Sequence, residues 1–198
     1  SGREFTEKFV ALPNHSEHQT GLAIDLGLNK DDIDFICPDF PYEGICEEFR
    51  KLAPKYGFVE RYQKNKEYIT GIGHEPWHFR YVGYQHSTVM YEKGLVLEEY
   101  IEYVNNAKNQ AMIAYGSISS RCKGENNSES AHKCYDDVEM CQEWKDDPQL
   151  FVKRYLELYY EVPGESMAVD KDLFGNGSKI YPSKTICILP QGLNTLLA

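Results

Sequence analysis

The sequence predicts an α+β protein made of two small domains, and three observations carry that reading. Short apolar–polar alternations recur at 21–26, 58–62 and 77–82, each the length of one strand. Amphipathic helical stretches at 43–56 and 97–104 accompany them, which together suggest a small mixed or antiparallel sheet with flanking helices. A polar patch, Asn105-Asn106-Ala107-Lys108-Asn109-Gln110, then breaks the pattern, and five of the six histidines lie before it. The division falls at 1–104 and 105–198, and 198 residues leave room for two small cores.

The elements follow in order. Residues 21–26 read as a strand entered from a turn. The helix at 43–56 turns Ile45, Phe49 and Leu52 to one face, is disturbed by Pro54 and is stopped by Gly57. Residues 58–62 and 67–72 read as strands around a turn at 63–66, and 77–82 as a further strand. Leu97, Tyr100, Ile101 and Val104 have helical spacing. In the second half, 115–122 and 135–138 read as a turn and strand leading into a helix at 141–144. Asp146 or Asp147 before Pro148 is a plausible N-cap, and Phe151, Tyr155, Leu158 and Tyr159 form an apolar stripe behind it. A closing segment through 170–177, 180–182 and 187–190 completes this second small α+β domain.

Composition excludes some classes of function. With 21 Lys+Arg against 31 Asp+Glu, the formal net charge of −10 argues against nucleic-acid phosphate or an anionic membrane as main partner. No apolar run approaches the length of a membrane span. Ser1-Gly2-Arg3-Glu4 has no signal-peptide pattern, so a cytoplasmic location is expected unless a preceding segment has been removed. The six cysteines contain no C-x2-C pair, and reduced, mostly buried thiols are expected of them.

Two stretches carry the candidate chemistry: S-E-H-Q-T-G-L-A-I-D at 16–25 and H-E-P-W-H-F-R-Y-V-G at 74–83. His18, Asp25 and His78 supply two imidazoles and a carboxylate, the ligand count of a catalytic zinc that keeps one position open. Small Gly21 and Ala23 leave space on the Asp25 face of the first strand. In the second, Trp77, Phe79 and Tyr81 alternate with His78, Arg80 and Val82, so His78 and Arg80 share a face. Glu75, three residues before His78, can take a proton from an activated water and pass it to a leaving amine. Spacing alone leaves two readings open, a metal site or a buried structural His–Asp pair.

The two motifs, in this order and about 50 residues apart, resemble those of the zinc D-alanyl-D-alanine carboxypeptidases of the VanY and VanXY type. The resemblance extends to Phe9-Val10-Ala11-Leu12-Pro13 before the first motif and to Glu92-Lys93-Gly94-Leu95 after the second. It implies Zn2+ held by His18, Asp25 and His78, with Glu75 as catalytic base. Ser16 would help to hold the substrate, and Trp77 and Arg80 would shape the site. The implied substrate is a small peptide ending in a D-amino acid. Members of the family carry an upstream S-G-Y-R-type arginine at the developing oxyanion, for which Arg3 is the stand-in here.

The second half resembles phage-encoded proteins related to HNH endonucleases, through Cys141-Gln142-Glu143-Trp144, Asp170-Lys171-Asp172, a G-N-x-x-Y-S-P-type turn from Gly175 and a C-x-x-x-P-type strand from Cys187. Lys171 follows Asp170 where a catalytic His would stand, and residues 105–198 are net acidic. A structural or interaction domain is the expectation for this half, ahead of DNA binding and of nuclease activity.

Overall fold

A computed structural model describes residues 14–123 and 137–197. The chain divides into two compact units, one running to Glu102 and the other beginning at Tyr103.

The first unit is organised around a three-stranded sheet. Its strands are β1 (Ala23–Asp25), β2 (Phe58–Tyr62) and β3 (Glu75–Tyr81), in the order β1-β3-β2, with both pairings antiparallel. A single-turn 3-10 helix, Glu17–Thr20, precedes β1 and is closed by Gly21, whose φ of 70° is left-handed. Helix α1 (Gly44–Leu52) passes into a 3-10 turn, Ala53–Tyr56, at Pro54, the distortion that proline demands. Gly57 ends that turn at φ 88°, and a Cβ there would stand 2.6 Å from the Tyr81 ring. Glycine is therefore required on two counts.

Two expectations change here. The buried residues of α1 are Cys46 and Arg50, whereas Ile45 and Leu52 are 75% and 47% exposed. The helix turns this way because the Arg50 guanidinium satisfies three backbone carbonyls: Pro41 at 2.6 Å, Phe40 at 2.6 Å and Pro76 at 3.0 Å. Its Nε also pairs with Glu60 at 2.9 Å. Residues 67–70, expected as a strand, are instead the one-turn helix α2 (Glu67–Thr70). The Lys66 carbonyl accepts from both Ile69 and Thr70, so the turn after β2 continues in a helical sense until Gly71 stops it.

The apolar cluster of this unit is small: Phe40, Cys46, Ala53 and Phe79, with Leu26, Leu28, Phe49, Phe58 and Trp77 packed against it. Phe49 meets Phe79 edge to face at a ring separation of 5.0 Å. Helix α3 (Tyr84–Lys93) adds Met90 and Ser87, both buried. Ser87 donates its hydroxyl to the Pro54 carbonyl at 2.6 Å.

Helix α4 (Leu97–Cys122) includes the polar patch 105–110, expected as a break, and the 115–122 segment, expected as turn and strand. Asparagine and glutamine lower helix propensity only mildly. Ala107 and Ala111, spaced by four, give this stretch a buried stripe that decides for helix.

The second unit has an apolar core. Ala111, Ile118, Val138, Met140, Trp144, Phe151, Val152, Tyr155, Val169, Tyr181, Ile186 and Ile188 form one buried cluster. Its elements after α4 are β4 (Glu139–Met140), α5 (Gln142–Asp146), α6 (Pro148–Leu158), β5 (Met167–Asp170), β6 (Ile180–Tyr181), β7 (Cys187–Pro190) and α7 (Gln191–Leu197). Strands β4 and β6 pair in parallel, β5 and β7 antiparallel. Asp147 caps α6 as expected, its carboxylate accepting from the Gln149 N–H at 2.9 Å. The Asp170 carboxylate accepts from the N–H groups of Asp172 and Leu173 at 3.0 and 2.7 Å, the bonding of a turn. Lys171 beside it is buried and paired with Asp172.

Among the described cysteines, Cys37, Cys46, Cys122, Cys141 and Cys187 are free thiols, while Cys134 and His132 lie outside the described residues. Among the described residues no helix is long and apolar enough to cross a membrane.

Candidate metal centre

Sheet register builds the site. Strand β1 pairs with β3 so that Asp25 stands directly opposite His78, and cross-strand partners project from the same face of a sheet. His18 reaches the same point from the 3-10 turn ahead of β1. Its Nε2 lies 3.4 Å from Asp25 Oδ2, while His78 Nδ1 lies 3.1 Å from Asp25 Oδ1. One donor atom from each of the three residues falls within 4.8 Å of the others. Donors bound at about 2.0–2.1 Å to a tetrahedral ion stand about 3.4 Å apart, so the three residues fit a zinc-sized cation. Two imidazoles and a carboxylate, with no thiolate, are also the donor set of an open catalytic site.

Glu75 reaches this face through an irregularity. In a regular strand, residues 75 and 78 would point to opposite sides. Between Glu60 and Tyr62, however, the β2–β3 register shifts, and Glu75 returns to the face of His78, its Oε2 3.4 Å from His78 Nδ1. Pro76, at the shift, has no N–H to lose, and Arg50 takes up its carbonyl. Glu75 is only 6% exposed, and burial, with Asp25 and Glu17 nearby, raises its carboxyl to about 7 against the pull of His78.

Burial alone would lower the His78 imidazole, but hydrogen bonds and negative charge from Asp25 and Glu17 carry it up to about 9. Glu17 is a residue that motif reading did not single out. Its Oε1 lies 2.7 Å from His78 Nε2, and its Oε2 accepts from Arg80 Nη1 at 2.7 Å and Arg61 Nε at 3.4 Å. Burial opposes its ionisation, yet His78, Arg61 and Arg80 together hold its carboxyl at about 2. Arg61 is fixed in turn by a two-pronged pair with Glu98, at 3.0 and 2.6 Å. Tyr62 lays its ring 5.0 Å from that of His78. The only sequence signal for Glu17 was its place inside the first motif; Arg61 and Tyr62 had none, because their roles come from the β2–β3 pairing.

The other expected site residues divide. Arg80 faces the site through Glu17. Ser16 precedes the turn that carries His18, and its hydroxyl does not cap that turn. Trp77 packs against the Phe40–Phe79 apolar cluster, since alternation along β3 groups it with Phe79 rather than with His78. Arg3 lies outside the described residues. His74 and His86 are taken up elsewhere, bonded to the Tyr42 and Tyr100 hydroxyls, each at 2.8 Å.

Residues 1–84 match the family model described as VanY, D-alanyl-D-alanine carboxypeptidase. The chain is 49% identical over 111 residues to the bifunctional D-Ala-D-Ala dipeptidase and D-Ala-D-Ala carboxypeptidase VanXYC of Enterococcus gallinarum, covering 56% of this chain and 58% of that protein. It is 40% identical over 124 residues to a D-alanyl-D-alanine carboxypeptidase of Enterococcus faecium, covering 58% of this chain and 39% of the relative. A crystal structure of the vancomycin resistance D,D-dipeptidase VanXYg, in complex with a D-Ala-D-Ala phosphinate analog, is similar at 71% identity and a TM-score of 0.52. That match covers 52% of this chain and 41% of the other. The chain thus spans less than two thirds of the length of these relatives. In its first unit, the chain is similar to the VanY family of D-alanyl-D-alanine carboxypeptidases.

Proposed function

We propose that the protein is a zinc peptidase that removes the C-terminal D-amino acid from D-Ala-D-Ala or from peptidoglycan-precursor peptides. The observation that carries this reading is a buried carboxyl, Glu75, beside three converging ligand atoms. The activities named for VanXYC and VanXYg support the substrate class. The acidic surface, at a net charge of −10, also suits a small peptide better than an anionic polymer.

His18, Asp25 and His78 would hold the zinc, which supplies a Lewis acid for the scissile carbonyl and lowers the pKa of water to about 7. Glu75 takes the proton of the attacking water and delivers it to the nitrogen of the leaving D-amino acid. A buried carboxyl beside the three ligands is placed for both transfers. Ser16 and Arg80 are assigned to hold the peptide, Arg80 through an orientation that Glu17 maintains.

Zinc content of the full chain, measured with D-alanine release from a dipeptide and a pentapeptide, tests the reading. Glu75→Ala should retain zinc while lowering turnover by about 10²–10⁴-fold, and His78→Ala should lose both. Undiminished release by Glu75→Ala would overturn the assignment.

A further inference from the structure

We propose that Glu17 is a positioning residue that selects which nitrogen of His78 faces the metal ligands. This rests on the metal reading above and deepens it. The His78 ring lies between two sets of carboxylates. Its Nδ1 looks toward Asp25 and Glu75, at 3.1 and 3.4 Å, and its Nε2 toward Glu17 at 2.7 Å. An ionised carboxylate accepts hydrogen bonds and donates none. With a cation seated beside Asp25 and taking the Nδ1 lone pair, the ring proton belongs on Nε2, donated to Glu17. His18 presents the opposite nitrogen, Nε2, to the same carboxylate. The two imidazoles thus serve the site in different tautomers, which two free histidines would not adopt reliably.

Glu17 is built to hold one position. Its Oε2 is engaged by Arg80 and Arg61, which leaves Oε1 for His78. A purely structural ion pair would need only the first of these oxygens. Arg61 is itself anchored by Glu98. Because Glu17 sits on the 3-10 turn that also carries His18, one short turn supplies a ligand and the orienting partner of a second ligand. A carboxylate behind a ligating imidazole fixes the ring and strengthens it as a donor, and loss of such a partner costs about 10–100-fold in metal affinity.

The test uses the full chain and Zn2+ competed against a chromophoric chelator, with folding checked by circular dichroism. Glu17→Ala should weaken zinc binding about 10–100-fold, and Glu17→Gln, which keeps an acceptor without the charge, should fall between it and the parent. Nitrogen-15 shifts of His78 should show Nε2–H with zinc on Nδ1. If folded Glu17→Ala binds zinc within twofold of the parent, Glu17 is only structural and the proposal is overturned. Should that variant fail to fold, the parent protein decides: zinc on Nε2 of His78, or Nδ1–H in the neutral metal-free ring, overturns it. A parent chain that binds no zinc removes the metal reading. Nε2–H on metal-free His78 would then still establish the hold exerted by Glu17.

Discussion

The two units differ in what their interiors hold. In the first, the buried side chains include Arg50, Arg61, Glu75, His78 and Ser87, gathered around a small apolar cluster. In the second, twelve apolar or aromatic residues form the core, with Trp144 meeting Phe151 edge to face at 4.9 Å. Buried charge is costly unless it is paired and hydrogen-bonded. The first unit meets that condition residue by residue: Arg50 on three carbonyls and Glu60, Arg61 on Glu98, Glu17 on His78 and Arg80. Such an interior holds chemical groups in place and gains little from burial. The second interior draws more on apolar area, with Asp170 and Lys171 its buried charged groups among the described residues. The site-bearing unit is therefore the one in which single polar changes should have large effects.

The tryptophans allow that contrast to be tested, because Trp77 reports on the first unit and Trp144 on the second. Phe151→Ala should have the largest effect on stability, about 3–5 kcal/mol. It should shift the Trp144 transition in denaturant and leave the Trp77 transition in place; equal shifts of both would erase the distinction between the units. Arg50→Met should cost about 2–4 kcal/mol, by leaving Glu60 and the carbonyls of Phe40, Pro41 and Pro76 without their donor. Here the Trp77 transition should move, and D-alanine release should fall because Pro76 adjoins Glu75. Unchanged release would show that the strand irregularity holds without Arg50.

A pH series gives a third comparison. The Glu17 carboxyl is depressed to about 2, so its stabilisation is present above its ordinary value of 4.5 and is lost as pH falls below it. Glu75, raised to about 7, destabilises the ionised form, so metal-free stability declines as pH rises from 4.5 toward 7. His78, raised to about 9, contributes below 6.5 and loses its contribution as pH rises toward 9. The metal-free Trp77 transition should therefore be most stable near pH 5 and fall on both sides, by about 2 kcal/mol at pH 3. The Trp144 transition should stay flatter, since its core cluster has no carboxylate or imidazole. A Trp77 midpoint constant from pH 3 to 8 would contradict these assignments. The smallest effect expected is that of Asp147→Ala, about 1 kcal/mol on the Trp144 transition from loss of the α6 cap.

Local signals were legible where the chain determines its own geometry. Pro54 and Gly57 marked the distortion and end of the α1 segment, Asp147 and Pro148 marked the start of α6, and the strand at β3 followed from alternation. The helical stripe of α1 was misread by one position, because burial of Arg50 is dictated by carbonyls from distant segments. The turn after β2 was misread as a hairpin, because nothing local announces that β3, rather than residues 67–70, takes the place beside β2.

The sequence by itself determined the donor types: two motifs carrying His18, Asp25, Glu75 and His78, on strands short enough to belong to one small sheet. Tertiary structure decided how those groups meet. Register set Asp25 opposite His78, the shift in β3 turned Glu75 to the same face against simple alternation, and Glu17 came to lie behind the His78 ring. The physical reason is that residue type and spacing act within a few residues along the chain. Which nitrogen a histidine presents, and which carboxylate lies within reach, depend on strand pairing and buried ion pairs between segments dozens of residues apart.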